Sequence, residues 1–171
     1  ILEEETSDSF KLSEDIYSFQ VLFNDDLYSL PISCYDFEKY GWEFTDKTNT
    51  VLEPEEYVVS QTWERDGIEI YTSITNYTGN IANIKDGMIT EMTFAMYMIG
   101  DKDVTITLPK DIILGKSHKN DIVQAYGNPT EEIEVEKTKV LVYRLKNKRE
   151  VKLIIDKEKE QTTQKIIENI R

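Results

Sequence analysis

Hydrophobic residues in this chain recur mainly at every second position, in short runs separated by turn-forming residues. Tyr17 to Phe23 alternates in this way before the turn sequence at 24–26, and two similar runs, 57–63 and 68–75, flank Asp66-Gly67. A period of two is that of a β-strand whose two faces differ, and Asp-Gly is a strong hairpin signal. The sequence therefore predicts antiparallel sheet built from hairpins.

The hairpin at Asp66-Gly67 has a definite expected core face and an open question about its loop. A loop of two residues would place Glu64 opposite Glu69, and like charges in that position are destabilising. We therefore expect the wider loop of four residues. The expected core face is the same in either case and consists of Tyr57, Val59, Trp63, Ile68, Ile70 and Ile74.

The second half of the chain predicts a four-stranded meander near 131–137, 139–145, 149–155 and 162–170, with Asn147-Lys148 as one turn. In its central hairpin we expect one core face, made of Val140, Val142, Val151, Leu153 and Ile155. The opposite face is also apolar and carries Leu141, Tyr143, Leu145 and Ile154. Helices on one side of a sheet would leave these four residues facing outward, so they predict either packing between modules or a partner-binding surface.

Two short helices precede these strand patterns. Ser33 and Asp36 have the spacing of a capping box, and the helix they begin is expected to end at Gly41. A second helix is predicted from about His118 to Tyr126, capped by Ser117 and ended by Gly127. Each helix ends in Tyr-Gly, and the two dipeptides lie 86 residues apart (126 − 40). An internal repeat and chance explain this recurrence equally well.

We therefore expect an α+β fold of two modules, each with a short helix or pair of helices packed on an antiparallel sheet. Residues 13–103 would form the N-terminal module and residues 104–171 the C-terminal one. Residues 1–12 are acidic and polar, which is typical of a tether. Because the chain begins at Ile1 and not at methionine, we expect that a preceding segment has been removed.

Composition restricts the function. With 20 lysine and arginine residues against 33 aspartate and glutamate residues, the net charge is −13, which disfavours binding to nucleic acid or to anionic lipid surfaces. The longest apolar run, Phe94 to Ile99, is far shorter than the roughly 18 residues of a membrane-spanning helix. One cysteine and one histidine offer little material for a metal site or for acid–base catalysis. No cofactor motif is present, so we expect no cofactor and no metal.

Cys34 and His118 each lie in the first turn of a predicted helix, where the helix dipole lowers a thiol pKa. A catalytic pair would require the two to meet together with an orienting Asn or Asp. Their equivalent places in two separate modules make that arrangement unfavourable. The simpler interpretation is a half-buried thiol and a solvated histidine, with no catalytic residue.

The stretch ILGKSHKNDIVQAYGNPTEE (113–132) resembles the Gly-Lys-Ser, helix, Tyr-Gly-x-Pro signature of modules similar to the β-lactamase inhibitor protein and to small outer-membrane-assembly lipoproteins. LFNDDLYSLPISCYDFEKYGW (22–42) resembles the opening of lipoproteins of low-GC Gram-positive bacteria that carry such a module. Together these resemblances cover most of residues 17–170. They imply export and an N-terminal lipid anchor upstream of the tether, although no acceptor cysteine lies at the start of this chain, and they supply no family active site.

The leading hypothesis is a non-enzymatic, extracytoplasmic lipoprotein domain that binds a protein partner in the cell envelope through a sheet face. The membrane would be contacted only through the inferred lipid anchor. One alternative is a cell-envelope hydrolase that uses carboxylates, which would need buried carboxyl groups of raised pKa in a deep cleft. Another alternative, which rests on fold analogy, is an inhibitor of a secreted enzyme.

Overall fold

Short strands and a few short helices make up the part of the chain that the computed structural model describes, residues 11–147 and 149–168. The strands are β1 (Gln20–Phe23), β2 (Asp26–Ser29), β3 (Ile32–Ser33), β4 (Glu43–Phe44), β5 (Val51–Leu52), β6 (Tyr57–Arg65), β7 (Ile68–Thr75), β8 (Ala82–Asn83), β9 (Met88–Ala95), β10 (Ile106–Leu108), β11 (Ile112–Ile113), β12 (Glu131–Val135), β13 (Thr138–Arg144), β14 (Glu150–Asp156) and β15 (Thr162–Glu168). The helices are α1 (Cys34–Glu38), α2 (Met96–Ile99) and α3 (Lys119–Tyr126). The α+β class is confirmed, and the predicted tether lies outside the described residues except for Lys11 and Leu12.

The described strands form one large sheet and two small ones. The large sheet follows the order β12-β13-β14-β15-β9-β7-β6-β4, with β3 paired to the end of β9. A four-stranded sheet has the order β11-β10-β1-β2, and β5 pairs with β8 as a separate ribbon. All pairs among the described strands are antiparallel, as the hairpin pattern predicts.

Each of the two larger sheets has a central strand pair, with one strand from each half of the chain. Strands of the first half follow on one side of this pair, and strands of the second half follow on the other. From the β9–β15 pair, the large sheet continues through β7, β6 and β4 on one side and through β14, β13 and β12 on the other. From the β1–β10 pair, the four-stranded sheet continues to β2 and to β11. Both sheets therefore extend across the expected module boundary at 103–104, which remains a prediction.

The two longer helices begin with related contacts. The Ser33 hydroxyl accepts the Asp36 N–H at 3.0 Å and donates to the Asp36 carboxylate at 2.7 Å, which confirms the predicted cap of α1. In α3, His118 is the N-cap residue and its N–H donates to Asp121 Oδ2 at 2.8 Å. The prediction that Ser117 caps α3 is wrong, because the Ser117 hydroxyl accepts the Ile113 N–H at 2.9 Å.

Both helices and the four-stranded sheet pack on one face of the large sheet, here called the covered face. The Phe37 ring of α1 lies 5.1 Å from Trp63 of β6, and the Tyr126 ring of α3 lies 5.6 Å from Tyr143 of β13. Phe23 of β1 lies 6.3 Å from Phe94 of β9. These contacts belong to a continuous core of buried residues that runs through both halves of the sheet.

The hairpin at Asp66-Gly67 corrects two expectations. Glu64 is paired with Glu69 and Arg65 with Ile68, so the loop has two residues and the expected four-residue loop is wrong. Asp66 and Gly67 have φ values of 54° and 71°, the combination that tight hairpin turns require.

A β-bulge moves two predicted core residues to the surface. The register of β6 against β7 shifts between Val58 and Gln61, and Ser60 has a φ of 57°. An extra residue in one strand reverses which side chains face the core beyond it. Tyr57 and Val59 are consequently 58% and 55% exposed, whereas Trp63, Ile68, Ile70 and Ile74 are buried as predicted.

Candidate functional site

The four predicted partner-binding residues do not form one surface. Leu141 and Tyr143 are buried on the covered face, with exposures of 0% and 2%, and Leu145 packs half-buried against the same core. Ile154 is half-buried and lies on the other face, directly opposite Val140. The prediction that these residues share an outward-facing surface is wrong.

The cause is a loop that is one residue longer than predicted. The Leu145 N–H donates to the Arg149 carbonyl oxygen at 2.8 Å, so more than Asn147-Lys148 connects β13 to β14. Leu141 is paired with Leu153, and Tyr143 with Val151. Since a slip of one residue moves every side chain of a strand to the opposite face, the expected core face of Val140 and Val142 is also wrong.

We call the second face of the large sheet the open face, and the register identifies its residues. Directly opposed residues of neighbouring strands point to the same side. The pairs Thr62–Tyr71 and Tyr71–Thr93 place hydroxyl-bearing residues at the centre of this face. Tyr71 is half-exposed there, so an aromatic ring with a polar tip is accessible on the open face.

Three glutamates form a row across the first half of the open face. Glu43 is directly opposite Glu64, and Glu64 is directly opposite Glu69. All three residues are exposed. Like charges in directly opposed positions destabilise a sheet, so this row lowers the stability of the isolated fold. It also makes the electrostatic potential of the open face more negative at this place.

The second half of the open face is apolar with a charged margin. Val140 and Ile154 are half-buried, and at the sheet edge Ile133 and Val135 are 40% and 52% exposed. Ile133 is paired with Val140, which in turn is paired with Ile154. An apolar stripe therefore crosses β12, β13 and β14.

An ion-pair network borders that stripe. Glu150 is only 7% exposed, and its carboxylate lies 2.7 Å from Arg144 Nε and 2.5 Å from Lys152 Nζ. Val142 of β13, which is paired with Lys152 of β14, is fully buried although it lies on the open face. The aliphatic stems of long charged side chains cover apolar neighbours in this way.

The structure gives Cys34 no reactive surroundings. The residue is fully buried, and its thiol donates to the Ile84 carbonyl oxygen at 3.8 Å. Burial is the main reason why the pKa of Cys34 rises to about 12, which outweighs the expected lowering at the start of α1. The thiol of Cys34 is therefore fully buried and not half-buried as expected. His118 is exposed at the start of α3.

Among the described residues, the carboxyl groups with a resolved pKa shift are all shifted downward. Hydrogen bonds from lysines are the largest cause for Asp36, Glu132 and Glu134, which lowers the pKa of each carboxyl group. Backbone hydrogen bonds, the Lys159 N–H first, lower the pKa of Asp156. Lowered values favour the charged form, the opposite of what a carboxylic acid that donates a proton near neutral pH requires.

A separate cleft of about 330 Å³ opens on the covered side beside the start of α3. Its wall includes His118, Lys119, Lys139 and Lys157, and Ile155 contributes an apolar part. The three lysines come from three separate segments of the chain. No sequence motif joins them, so sequence reasoning misses this cleft.

Comparison of the chain with protein-family models, with curated proteins and with solved structures finds no significant match. Within residues 11–147 and 149–168, no three histidine, cysteine, aspartate or glutamate side chains are grouped in a way that could hold a metal ion. None of the helices in the described part is long and apolar enough to cross a membrane.

Proposed function

We propose that this chain is a non-enzymatic binding domain whose open sheet face docks a partner protein. The observation that carries the proposal is the row Glu43–Glu64–Glu69, in which three exposed carboxylates lie on adjacent strands. Such a row costs stability in the free protein. A partner with a positively charged contact surface would remove this repulsion on binding, so the expected occupant is a protein with lysine and arginine side chains facing the row.

The other parts of the open face support docking over a broad area. Tyr71 provides an aromatic side chain of the type that dominates interface energetics. The stripe of Ile133, Val140 and Ile154 provides apolar contact area, and the Arg144–Glu150–Lys152 network beside it provides a polar margin. An apolar stripe with a charged border is typical of interface anatomy.

We also propose that the two halves are copies of one module. Each half contains a hairpin, a helix and four strands in the same chain order: β1, β2, α1, β4, β6, β7 and β9 in the first, and β10, β11, α3, β12, β13, β14 and β15 in the second. The pairs β1–β10 and β9–β15 join equivalent strands. This layout supports the resemblance to modules similar to the β-lactamase inhibitor protein, with residues 13–103 and 104–171 as the two units.

The same resemblance supports an extracytoplasmic location, with a lipid anchor upstream of residues 1–12. Cells that express the complete native gene provide the test. We expect the protein in the membrane fraction, released by detergent and degraded by protease added outside intact cells with a permeabilised wall. Recovery in the cytoplasmic fraction would contradict this part of the proposal.

Site-specific photo-crosslinking tests the docking proposal. A photoreactive phenylalanine analogue at Tyr71 should give a defined adduct in native envelope, and the same analogue at Tyr97, which is 74% exposed, should not. Replacing Glu43, Glu64 and Glu69 together by Gln should reduce the Tyr71 adduct. A matched triple variant, Asp101→Asn, Asp103→Asn and Glu136→Gln, carries the same charge change and should leave it unchanged. Equal adducts from both positions, or equal effects of both triple variants, would contradict docking on the open face.

A further inference from the structure

The wall of the cleft beside α3 carries three lysines and one carboxylate, Glu160, in a strongly acidic protein. The ammonium groups of Lys119, Lys139 and Lys157 alternate with the carboxylates of Glu132 and Glu134. Lys119 and Lys139 lie 2.8 and 3.5 Å from Glu132, and Lys139 and Lys157 lie 3.0 and 3.4 Å from Glu134. Three cations therefore share two anions.

The three lysine ammonium groups keep N–H donors that a ligand in the cleft can use. Each ammonium group has three donors, so the three lysines have more N–H groups than two carboxylates can hold in these contacts. The lysines line the cleft, whereas Glu132 and Glu134 lie outside its wall on the edge strand β12. The lysine side chains are between 23% and 34% exposed, which allows a ligand to reach them.

The start of α3 adds to the positive potential. His118 is the N-cap residue, and Lys119 and Asn120 of the first turn line the cleft. Asp121 accepts the His118 N–H at 2.8 Å, whereas the N–H groups of Lys119 and Asn120 belong to the first turn, whose amides have no partner within the helix and carry the positive end of the helix dipole. One carboxylate, Glu160, also lies on the wall, and it is the group that an anionic ligand would meet unfavourably.

From this geometry we infer that the cleft beside α3 binds the phosphate group of a small molecule. Lysine ammonium groups act as point charges for phosphate, and a helix start supplies backbone donors to the same anion. The volume of about 330 Å³ is near the lower end of the roughly 300–1,000 Å³ of small-molecule sites, so the ligand is small. Ile155, which is 4% exposed, would contact its apolar part.

The geometry of the segments around the cleft favours a preformed site. The Thr162 N–H and hydroxyl both donate to the Ser117 carbonyl oxygen, at 3.0 and 2.8 Å. His118 is bridged to Gln161 in antiparallel fashion. These contacts hold the start of α3 against the segment that carries Lys157 and Glu160.

Titration of the ¹⁵N-labelled protein with inorganic phosphate and with glycerol 3-phosphate tests the inference. We expect saturable shifts of the Lys119 and Asn120 amide signals, whereas uncharged glycerol should produce none. Lys139→Gln should weaken phosphate binding by about tenfold, the effect of losing one charge-assisted hydrogen bond. Glu160→Gln should strengthen it, because this change removes the one carboxylate of the wall.

Two controls keep the result interpretable. Lys47→Gln makes the same charge change at an exposed position between β4 and β5 and should leave phosphate binding unchanged, and Lys157→Gln replaces Lys139→Gln if the latter unfolds. Absence of saturable shifts, equal weakening by Lys47→Gln, or weaker binding in Glu160→Gln would overturn the inference. Binding to vesicles of phosphatidylglycerol without binding of soluble phosphate would overturn it as well, because the ligand would then be a lipid surface.

Discussion

On the covered face of the large sheet, Trp63, Tyr143 and Leu153 are at most 2% exposed. On the open face of the same sheet, Tyr71, Val140 and Ile154 are half-exposed, and glutamates lie directly opposite one another. The covered face thus concentrates the burial that stabilises the fold. The open face tolerates an arrangement that lowers stability, which agrees with the binding role proposed for it.

The largest expected difference between the faces is in the response to a buried charge. Tyr143→Asp should destabilise the fold by about 3 kcal/mol or more, because it places a carboxylate in the core without a partner. Ile154→Asp, on the adjacent strand but on the open face, should cost about 1 kcal/mol or less. Urea denaturation gives both free energies of unfolding, and equal losses in the two variants would show that the faces do not differ.

A chemical test of the covered side concerns the thiol of Cys34, the first residue of α1. Burial raises the pKa of Cys34 from 9.0 to about 12, so the native thiol keeps its proton in a range where the unfolded chain loses it. The contribution of Cys34 to the free energy of unfolding is therefore complete below the pKa of the thiol in the unfolded chain. It declines as the pH rises above that value, by at most about 1.4 kcal/mol per pH unit.

The measurement is the free energy of unfolding between pH values of about 8 and 9.5, where a tyrosine with a pKa of about 10 is still mostly protonated. We expect a steeper decline in the wild type than in Cys34→Ala, and slow alkylation of the native thiol by iodoacetamide at pH about 8 compared with the unfolded chain. Equal slopes together with rapid native alkylation would contradict the burial of Cys34.

The smallest expected effect concerns the glutamate row. Glu64→Gln should stabilise the fold by a few tenths of a kcal/mol at low ionic strength, because it removes the central charge of Glu43–Glu64–Glu69. The gain should shrink at high salt, where exposed charges are screened. Glu136→Gln, a change of the same charge elsewhere on the surface, is the control. A loss of stability in Glu64→Gln, or a gain unaffected by salt, would show that the row is not repulsive.

The sequence predicts the strands of this fold better than it predicts their registers. The meander of the second half lies close to its expected bounds in β12 to β15, because alternation and turn residues are local signals. Registers depend on single residues in loops. A longer connection after β13 exchanges the faces of Leu141 and Val140, and the bulge at Ser60 turns Val59 outward. Neither event has a strong signal in composition or period.

The candidate surface shows the same limit. Of the four residues predicted for it, Ile154 lies on the open face. No signal in the sequence pairs Glu43 with Glu64, and the expected repulsion between Glu64 and Glu69 favours a wrong register. The turn itself decides the register, because Asp66 and Gly67 both have positive φ, and the preference of Asp-Gly for a two-residue hairpin loop outweighs a repulsion of a few tenths of a kcal/mol.

The most direct test of docking on the open face is the affinity of the partner captured through position 71, measured with purified components. Tyr71→Ala should weaken binding by about tenfold, as expected for a central interface aromatic, and Tyr97→Ala should leave the affinity unchanged. Unchanged affinity in Tyr71→Ala, with Tyr97→Ala reducing it instead, would show that the partner binds elsewhere on the molecule.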